Sequence, residues 1–210
     1  MRAIIVRHYK TTSNETGNII GWGDSPPVKE WRQDINFVND ALRKSKVHIN
    51  RIHTSELRRA RNTGLFHAHS HNIHKVQHSI EMNEINYGDM SKKSKHWVEQ
   101  HIPQHKKDPD YIYPNGESFR QMQTRSIDYI LKLASKHPKD VMMIVVHAGV
   151  IRGLICHFLG LDYASNLKQN IGHRYIGIFD IQGKKCIHYE EAGTESGFVK
   201  QGIIKVPVDR

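Results

Sequence analysis

Six consecutive residues, Val141–Val146 (VMMIVV), constrain the fold of this chain more than any other stretch. They form a continuous apolar run of β-branched residues and methionine, bounded by the polar Asp140 and His147. Strands buried on both faces have this composition, and such strands belong to sheets covered on each side by helices. The rest of the chain supplies the parts. Strand-like stretches occur at 2–7, at 50–54, within "HKVQHSIEM", and in "RYIGIFDI" and "KCIHYEE", the last two joined by the turn "QGKK". Helical patterns lie between them. One runs over about 28–46, with Trp31, Ile35, Phe37, Val38 and Leu42 roughly on one face and Asp24, Ser25, Pro26 and Pro27 as its entry signal. Others start with Ser55 as a cap, span a short stretch near 92–101, and cover 117–137 and 149–159. The Thr/Ser/Asn/Gly-rich stretch after the first strand reads as a loop, "PQHKKDPDYIYPNGES" as irregular chain, and the segment up to Arg210 is weakly patterned. Strands alternating with helices predict an α/β fold: a three-layer αβα sandwich, with a mostly parallel central sheet and helices on both faces. The expected organisation is a single domain over 1–210.

Composition narrows the partners. With 210 residues, 38% hydrophobic and 25% charged, the chain is globular rather than disordered. Its formal net charge is +10. That balance fits nucleic acid, a membrane surface or small anionic substrates. The basic residues are scattered, with short clusters such as "SKKSKH" and "RRAR", so a dedicated nucleic-acid surface is not expected. The apolar stretch "VMMIVVHAGVIRGLICHFLGL" carries His147, Arg152 and His157, which are costly in lipid. A buried strand followed by a helix accounts for it, and no membrane partner is expected. The two cysteines, Cys156 and Cys186, sit in apolar settings without metal-ligand spacing, which favours a reducing, cytoplasmic location.

In α/β sheets, ligands gather beyond the carboxyl ends of the strands. The polar groups at these ends are Arg7 and His8, Thr54 and Ser55 with Arg59 one turn on, Glu84, and His147. After His147, the small residues Ala148 and Gly149 open a helix, where backbone N–H groups favour an anion. With 16 histidines in the chain, no single one carries the argument; their joint arrangement does.

That arrangement resembles the histidine phosphatase superfamily, the phosphoglycerate-mutase-like proteins. "RHYKTTSN" is similar to the family's RHGETxxN motif, "GWGDSPP" to G-x-x-D-x-P, and "TSELRRARNT" to TSxLxRAxQT, which singles out Arg59 rather than Arg58. "MNEINYGDM" resembles LxExxFGxW and aligns Glu84 with the family's proton donor. "PNGESFRQMQTR" and "VVHAGVIRGLI" resemble the PGGES and HGGVIR blocks, the latter marking His147.

The resemblance implies a phosphomonoesterase acting on small phosphorylated metabolites, with His8, Glu84 and His147 catalytic. His8 would form a phosphohistidine and Glu84 would donate the proton. Arg7, Asn14, Arg59, His147 and Ala148 would bind the phosphate. The chemistry agrees: two arginines hold a dianion by charge-assisted bonds and push an imidazole towards its neutral, nucleophilic form. An acid at position 84 would need some desolvation around it. No metal and no cofactor are expected, because cationic side chains would supply the charge. Tyr9 stands where the family usually has glycine. It is expected to line the substrate pocket with Thr11, or else to crowd the phosphate. Lys10 replaces the usual acid, Trp31 a frequent glycine, and Met90 a tryptophan. A phosphoglycerate-mutase-type phosphotransferase and a catalytically silent phosphate-binding module are the alternatives. The physiological substrate and the oligomeric state are not legible.

Overall fold

The computed structural model describes residues 1–192. The weakly patterned segment that ends at Arg210 lies outside the described residues. A six-stranded sheet in the order β3-β2-β4-β1-β5-β6 forms the middle layer. Its strands are β1 (Arg2–Arg7), β2 (Arg51–Ser55), β3 (Val76–Ser79), β4 (Val141–Val146), β5 (Ile176–Gln182) and β6 (Lys185–Ala192). The strands β3, β2, β4 and β1 are mutually parallel. β5 and β6 extend the sheet antiparallel, turning at Gly183 with a φ of 59°. The sheet is therefore mixed, with the parallel part as expected.

The helices are α1 (Thr12–Thr16), α2 (Trp31–Lys44), α3 (Arg58–Ser70), α4 (Lys95–His101), α5 (Phe119–Lys136), α6 (Ala148–Leu159) and α7 (Tyr163–Asn166). They cover both faces, as the alternation along the central strands requires. Ala3, Ile5, Met142, Ile144 and Val146 face the core built with α5 and α6. Ile4, Val6, Met143 and Val145 face Val38 and Leu42 of α2 and Ala60 and Ala68 of α3. Every residue of β4 after Val141 is fully buried, and each such side chain contributes roughly 1.5–3 kcal/mol of burial. The stretch that could pass for a membrane span is thus β4 followed by α6. Among the described residues no helix is long and apolar enough to cross a membrane.

Three local expectations are corrected. Asp24 and Ser25 do not open α2, which begins at Trp31 after Glu30. The Ser25 hydroxyl instead accepts from Ser13 N (3.0 Å) and contacts Thr12 Oγ1 (3.0 Å), while Asp24 pairs with Arg58 at 3.0 Å. An N-cap must sit against the first turn, and the Pro26–Pro27 segment holds these residues away from it, with Pro27 bridged to Thr11. The loop after β1 contains the short helix α1, closed by a Thr11–Asn14 capping box and by Gly17 at φ 72°. It buries none of its residues, so it has no periodicity to read. Ser55 does not cap α3, whose N-cap is Leu57.

Candidate active site

The carboxyl ends of β1, β2 and β4 converge. β1 delivers Arg7 and His8, β2 delivers Ser55, and β4 ends on His147, the N-cap of α6. The His8 and His147 rings lie 5.0 Å apart between centroids, and His173 stands 5.5 Å from His8 on another side. Arg59 arrives from the first turn of α3. Four segments distant in sequence thus meet around one imidazole.

The hydrogen bonds on His8 assign its tautomer. Nδ1 lies 2.6 Å from the carbonyl oxygen of Tyr9, which can only accept, so Nδ1 carries the proton. Arg59 Nε lies 3.3 Å from Nε2 and can only donate, so Nε2 is the bare nitrogen. Burial holds the imidazolium form of His8 well below its ordinary range, helped by Arg59, His147 and Arg7. His147 is pushed down in the same way, by burial and then by Arg59 and Arg7. Both rings are therefore neutral at neutral pH.

The arginines are held firmly. Arg59 is 3% exposed and donates to the carbonyls of Gly23 (2.9 Å) and Gly21 (2.7 Å). Gly21 has a φ of 53°, and a Cβ there would come within 2.6 Å of the Ile85 carbonyl, so the turn presenting these carbonyls needs glycine. Burial lowers Arg59 to about 10 and Arg7 to about 9, Arg7 being further depressed by Arg152; both remain charged at neutral pH. Arg7 Nη1 donates to the Ile171 carbonyl. Among the described residues, Arg7 Nε and His147 Nδ1 are buried without a hydrogen-bond partner. Orphaned groups beside His8 match what an oxyanion would satisfy.

Glu84 reaches the cleft from the loop after β3. Its Oε1 accepts from Ile85 N (3.0 Å) and its Oε2 from Gly149 N (3.1 Å). A Cβ on Gly149 would meet Oε1 at 2.2 Å, so the close approach depends on that glycine. The small residue thus serves Glu84 rather than a ligand. The carboxylate is half-buried. Asn14 lines the cleft, and its Oδ1 accepts from Thr11 N (3.0 Å) and Thr11 Oγ1 (2.9 Å). That leaves its amide N–H₂ as the free donor. Ala148 lines the same cleft.

Among the expected residues, His147 is fully buried behind the cleft with its ring against His8 rather than among the cleft-lining residues, and two pocket expectations fail: Tyr9 and Thr11 do not line the cleft. His8 faces the cleft, and alternation along the extended chain turns Tyr9 the other way. The Tyr9 ring packs 5.2 Å from Trp31, which packs 4.5 Å from Phe66, and Tyr9 is 3% exposed. The bulk replacing the two usual glycines therefore fills a seam between α2 and α3. Thr11 is fully buried and positions Asn14. Lys10 does reach the outer rim, where it pairs with Glu15 at 3.1 Å.

The Ser55 hydroxyl, read from the sequence both as a strand-end polar group and as a helix cap, lies 2.6 Å from His147 Nε2. Other residues escaped the sequence reading. His173 Nδ1 donates to the His8 carbonyl at 2.8 Å. Arg125 clamps the Glu84 loop: it donates to the carbonyls of Glu81 (2.7 Å), Asn83 (2.8 Å) and Glu84 (3.0 Å) while paired with Glu117 at 2.6 Å. Trp22 Nε1 adds a bond to the Glu84 carbonyl at 2.6 Å. Lys95, Lys106 and Arg152 also line the cleft. The "PNGESFRQMQTR" block was the available signal for the Glu117–Arg125 pair, the HGGVIR match ends on Arg152 and the "SKKSKH" cluster contains Lys95; nothing local flagged Lys106. Among the described residues no group of three His, Cys, Asp or Glu side chains is arranged to hold a metal ion.

The family model described as histidine phosphatase superfamily (branch 1) matches residues 3–189. The chain is 25% identical over 182 residues to the 2,3-bisphosphoglycerate-dependent phosphoglycerate mutase of Bartonella tribocorum, covering 80% of this chain and 86% of that protein. It is 26% identical over 175 residues to the metal-independent phosphoserine phosphatase of Arabidopsis thaliana, covering 78% and 69%. In fold it is similar to Bacillus stearothermophilus YhfR, with a TM-score of 0.78 at 23% identity over 88% of this chain and 93% of that one.

Proposed function

The chain belongs to the histidine phosphatase superfamily, and on that premise we propose that it is a phosphomonoesterase working through a phosphohistidine on His8. The observation that carries this reading is the pair of opposed bonds on the His8 ring. Nδ1 gives its proton to the Tyr9 carbonyl, while Nε2 is bare and faces Arg59.

A phosphate ester entering the cleft replaces the long Arg59–His8 contact, and Arg59 turns its N–H to a phosphoryl oxygen. Arg7 Nε, His147 Nδ1 and the Asn14 amide supply further donors, concentrated where charge spreads over the equatorial oxygens. The His8 Nε2 lone pair forms the N–P bond as the ester P–O bond breaks. The leaving oxygen takes its proton from Glu84. Water then attacks phosphorus, returns a proton to the Glu84 carboxylate, and releases inorganic phosphate with the electron pair back on Nε2. For His147 Nδ1 to donate, its Nε2 must accept, and the Ser55 hydroxyl at 2.6 Å supplies that proton.

The test is hydrolysis of p-nitrophenyl phosphate by wild type and by His8→Ala. The expected result is turnover that falls by roughly 10³-fold or more in the variant, with phosphate trapped on the wild-type protein after acid quench. Tight phosphate binding without turnover across a broad ester panel would overturn the reading in favour of a silent binding module. The Bartonella relative supports one second reading, a mutase. Turnover that depends on a bisphosphorylated primer would shift the assignment there.

A further inference from the structure

The backbone from His8 to Lys10 is tied to four other segments. His8 N–H donates to the Val146 carbonyl at 3.0 Å, and the His8 carbonyl accepts from His173 Nδ1 at 2.8 Å. Tyr9 N–H donates to Thr63 Oγ1 at 3.1 Å, and that hydroxyl donates in turn to the Arg59 carbonyl at 2.7 Å. The Lys10 carbonyl accepts from Val28 N at 3.1 Å. The Tyr9 carbonyl differs from these, because its partner is the His8 ring itself, Nδ1 at 2.6 Å. A ring that turns on its own side-chain bonds cannot hold its acceptor in place. The Tyr9 peptide must be fixed from elsewhere, and its side chain does this.

The Tyr9 ring leaves the cleft and enters the seam between two helices. It lies 5.2 Å from Trp31, which opens α2, and Trp31 lies 4.5 Å from Phe66 of α3. The ring planes are inclined at 50° and 61°, within the tilted arrangements that aromatic pairs favour. Arg32 covers the Trp31 ring at 4.5 Å. Burial raises the Tyr9 phenol, partly offset by a side-chain hydrogen bond with Asn62 of α3. Tyr9 is not among the residues with positive φ, so a bulky side chain suits its backbone and the seated ring sets where the carbonyl points. In a neutral imidazole, the bond made by one nitrogen decides the state of the other. With the Tyr9 carbonyl in place, the proton sits on Nδ1. If the carbonyl swings away, the proton is free to move to Nε2, and no N–P bond can form there.

We propose that Tyr9 is a positioning residue for His8: the Tyr9–Trp31–Phe66 seam holds the carbonyl that keeps the attacking nitrogen bare. The proposal rests on the reading of His8 as the nucleophile. Loosening the seam also lets water reach the ring. Arg7 from β1, Arg59 from α3, His147 from the end of β4 and His173 from the segment before β5 face His8, and burial outweighs all of them in disfavouring its imidazolium form. Lys95, Lys106, Arg152 and the Glu84 carboxylate lie further along the cleft.

Ring-nitrogen NMR spectra of histidine-labelled protein test the proposal, with His8 identified by its loss in His8→Gln. Wild type is expected to hold His8 as the Nδ1–H tautomer at neutral pH, and Tyr9→Ala to show a mixture of tautomers. On p-nitrophenyl phosphate, Tyr9→Ala is expected to lose about 10–100-fold in kcat with KM changed by less than about threefold, because the ring lies outside the cleft. The acid limb of kcat/KM moves to higher pH by about one pH unit as water reaches His8; a smaller folded fraction alone would leave it in place. Tyr9→Phe keeps the ring and recovers most of the rate. An unchanged tautomer in Tyr9→Ala, a loss carried by KM, or a fixed acid limb would overturn the proposal. If Tyr9→Ala does not fold, Phe66→Ala at the exposed end of the seam decides: mixed tautomers uphold the proposal and a wild-type spectrum removes it. The spectra need no turnover, so they give this answer even if the phosphatase reading fails.

Discussion

The two ends of the central sheet hold buried histidines in opposite electrostatic company. At the carboxyl end, His8, His147 and His173 crowd together beside Arg7 and Arg59, with further unpaired cations along the wall. Towards the amino end, midway along β2 opposite Ile144, His53 is just as enclosed, 2% exposed, and burial lowers it to about 4. There, however, Arg51 and Arg2 are neutralised by Asp140 and Asp180. The amino end even has the larger hollow, about 640 Å³ among His48, Arg51, His53, His71 and Lys75, against about 100 Å³ at the cleft. Neither histidine content nor cavity size separates the two ends. The concentration of positive charge does: five basic side chains line the cleft, whereas at the other hollow Arg51 is paired with Asp140 and Lys75 lies exposed to solvent.

Arg59 offers the hardest strike at this contrast. Lysine cannot span the Gly21 and Gly23 carbonyls and His8 at once. Arg59→Lys is expected to cost about 10²–10³-fold in kcat on p-nitrophenyl phosphate, the scale of losing one transition-state donor. A change below threefold would mean that the cations at this end are ordinary surface charge.

Arg125 asks whether the clamp on the proton donor matters as the cations do. Arg125→Ala removes the side chain that gathers the carbonyls of Glu81, Asn83 and Glu84. The expected loss is about 10–100-fold, larger for an alkyl phosphate than for p-nitrophenyl phosphate, since only poor leaving groups need a proton. Equal losses on both would leave Arg125 a merely structural residue. Arg125→Lys is expected to recover part of the rate.

Acid stability sharpens the other side of the comparison. His53 and His105 are lowered to about 4, in each case chiefly by burial. Their folded pKa lies below the unfolded value, so the stability is fully present above pH ~6.5. It is lost as pH falls through the folded value, while the unfolded chain binds the proton first. Each contributes a slope of about 1.4 kcal/mol per pH unit between pH ~6.5 and ~4. Urea melts should show His53→Gln with a shallower loss over that window than wild type. Its turnover at pH 7 should stay within about twofold; a larger drop would tie the amino end to the chemistry.

Much of this was readable along the chain. The alternation of strands and helices, and a strand dry on both faces, follow from side-chain periodicity, which is a local property of sequence. The resemblance of the blocks around His8, Arg59, Glu84 and His147 picked out three residues that line one cleft and a fourth, His147, buried with its ring 5.0 Å from that of His8, because strand ends and helix starts gather at the same edge of a parallel sheet. Other features were set by distance in space. Tyr9 could have entered the pocket or avoided it, and the choice rested on which face Trp31 and Phe66 offered it. Ser55 could cap a helix or serve His147, and strand register chose the latter. The surplus of cations at the cleft wall was invisible in composition, since Lys95, Lys106 and Arg152 look like any other basic residues until the fold assembles them without counter-charges. Pairing is a property of three-dimensional neighbours, and no count along a chain contains it.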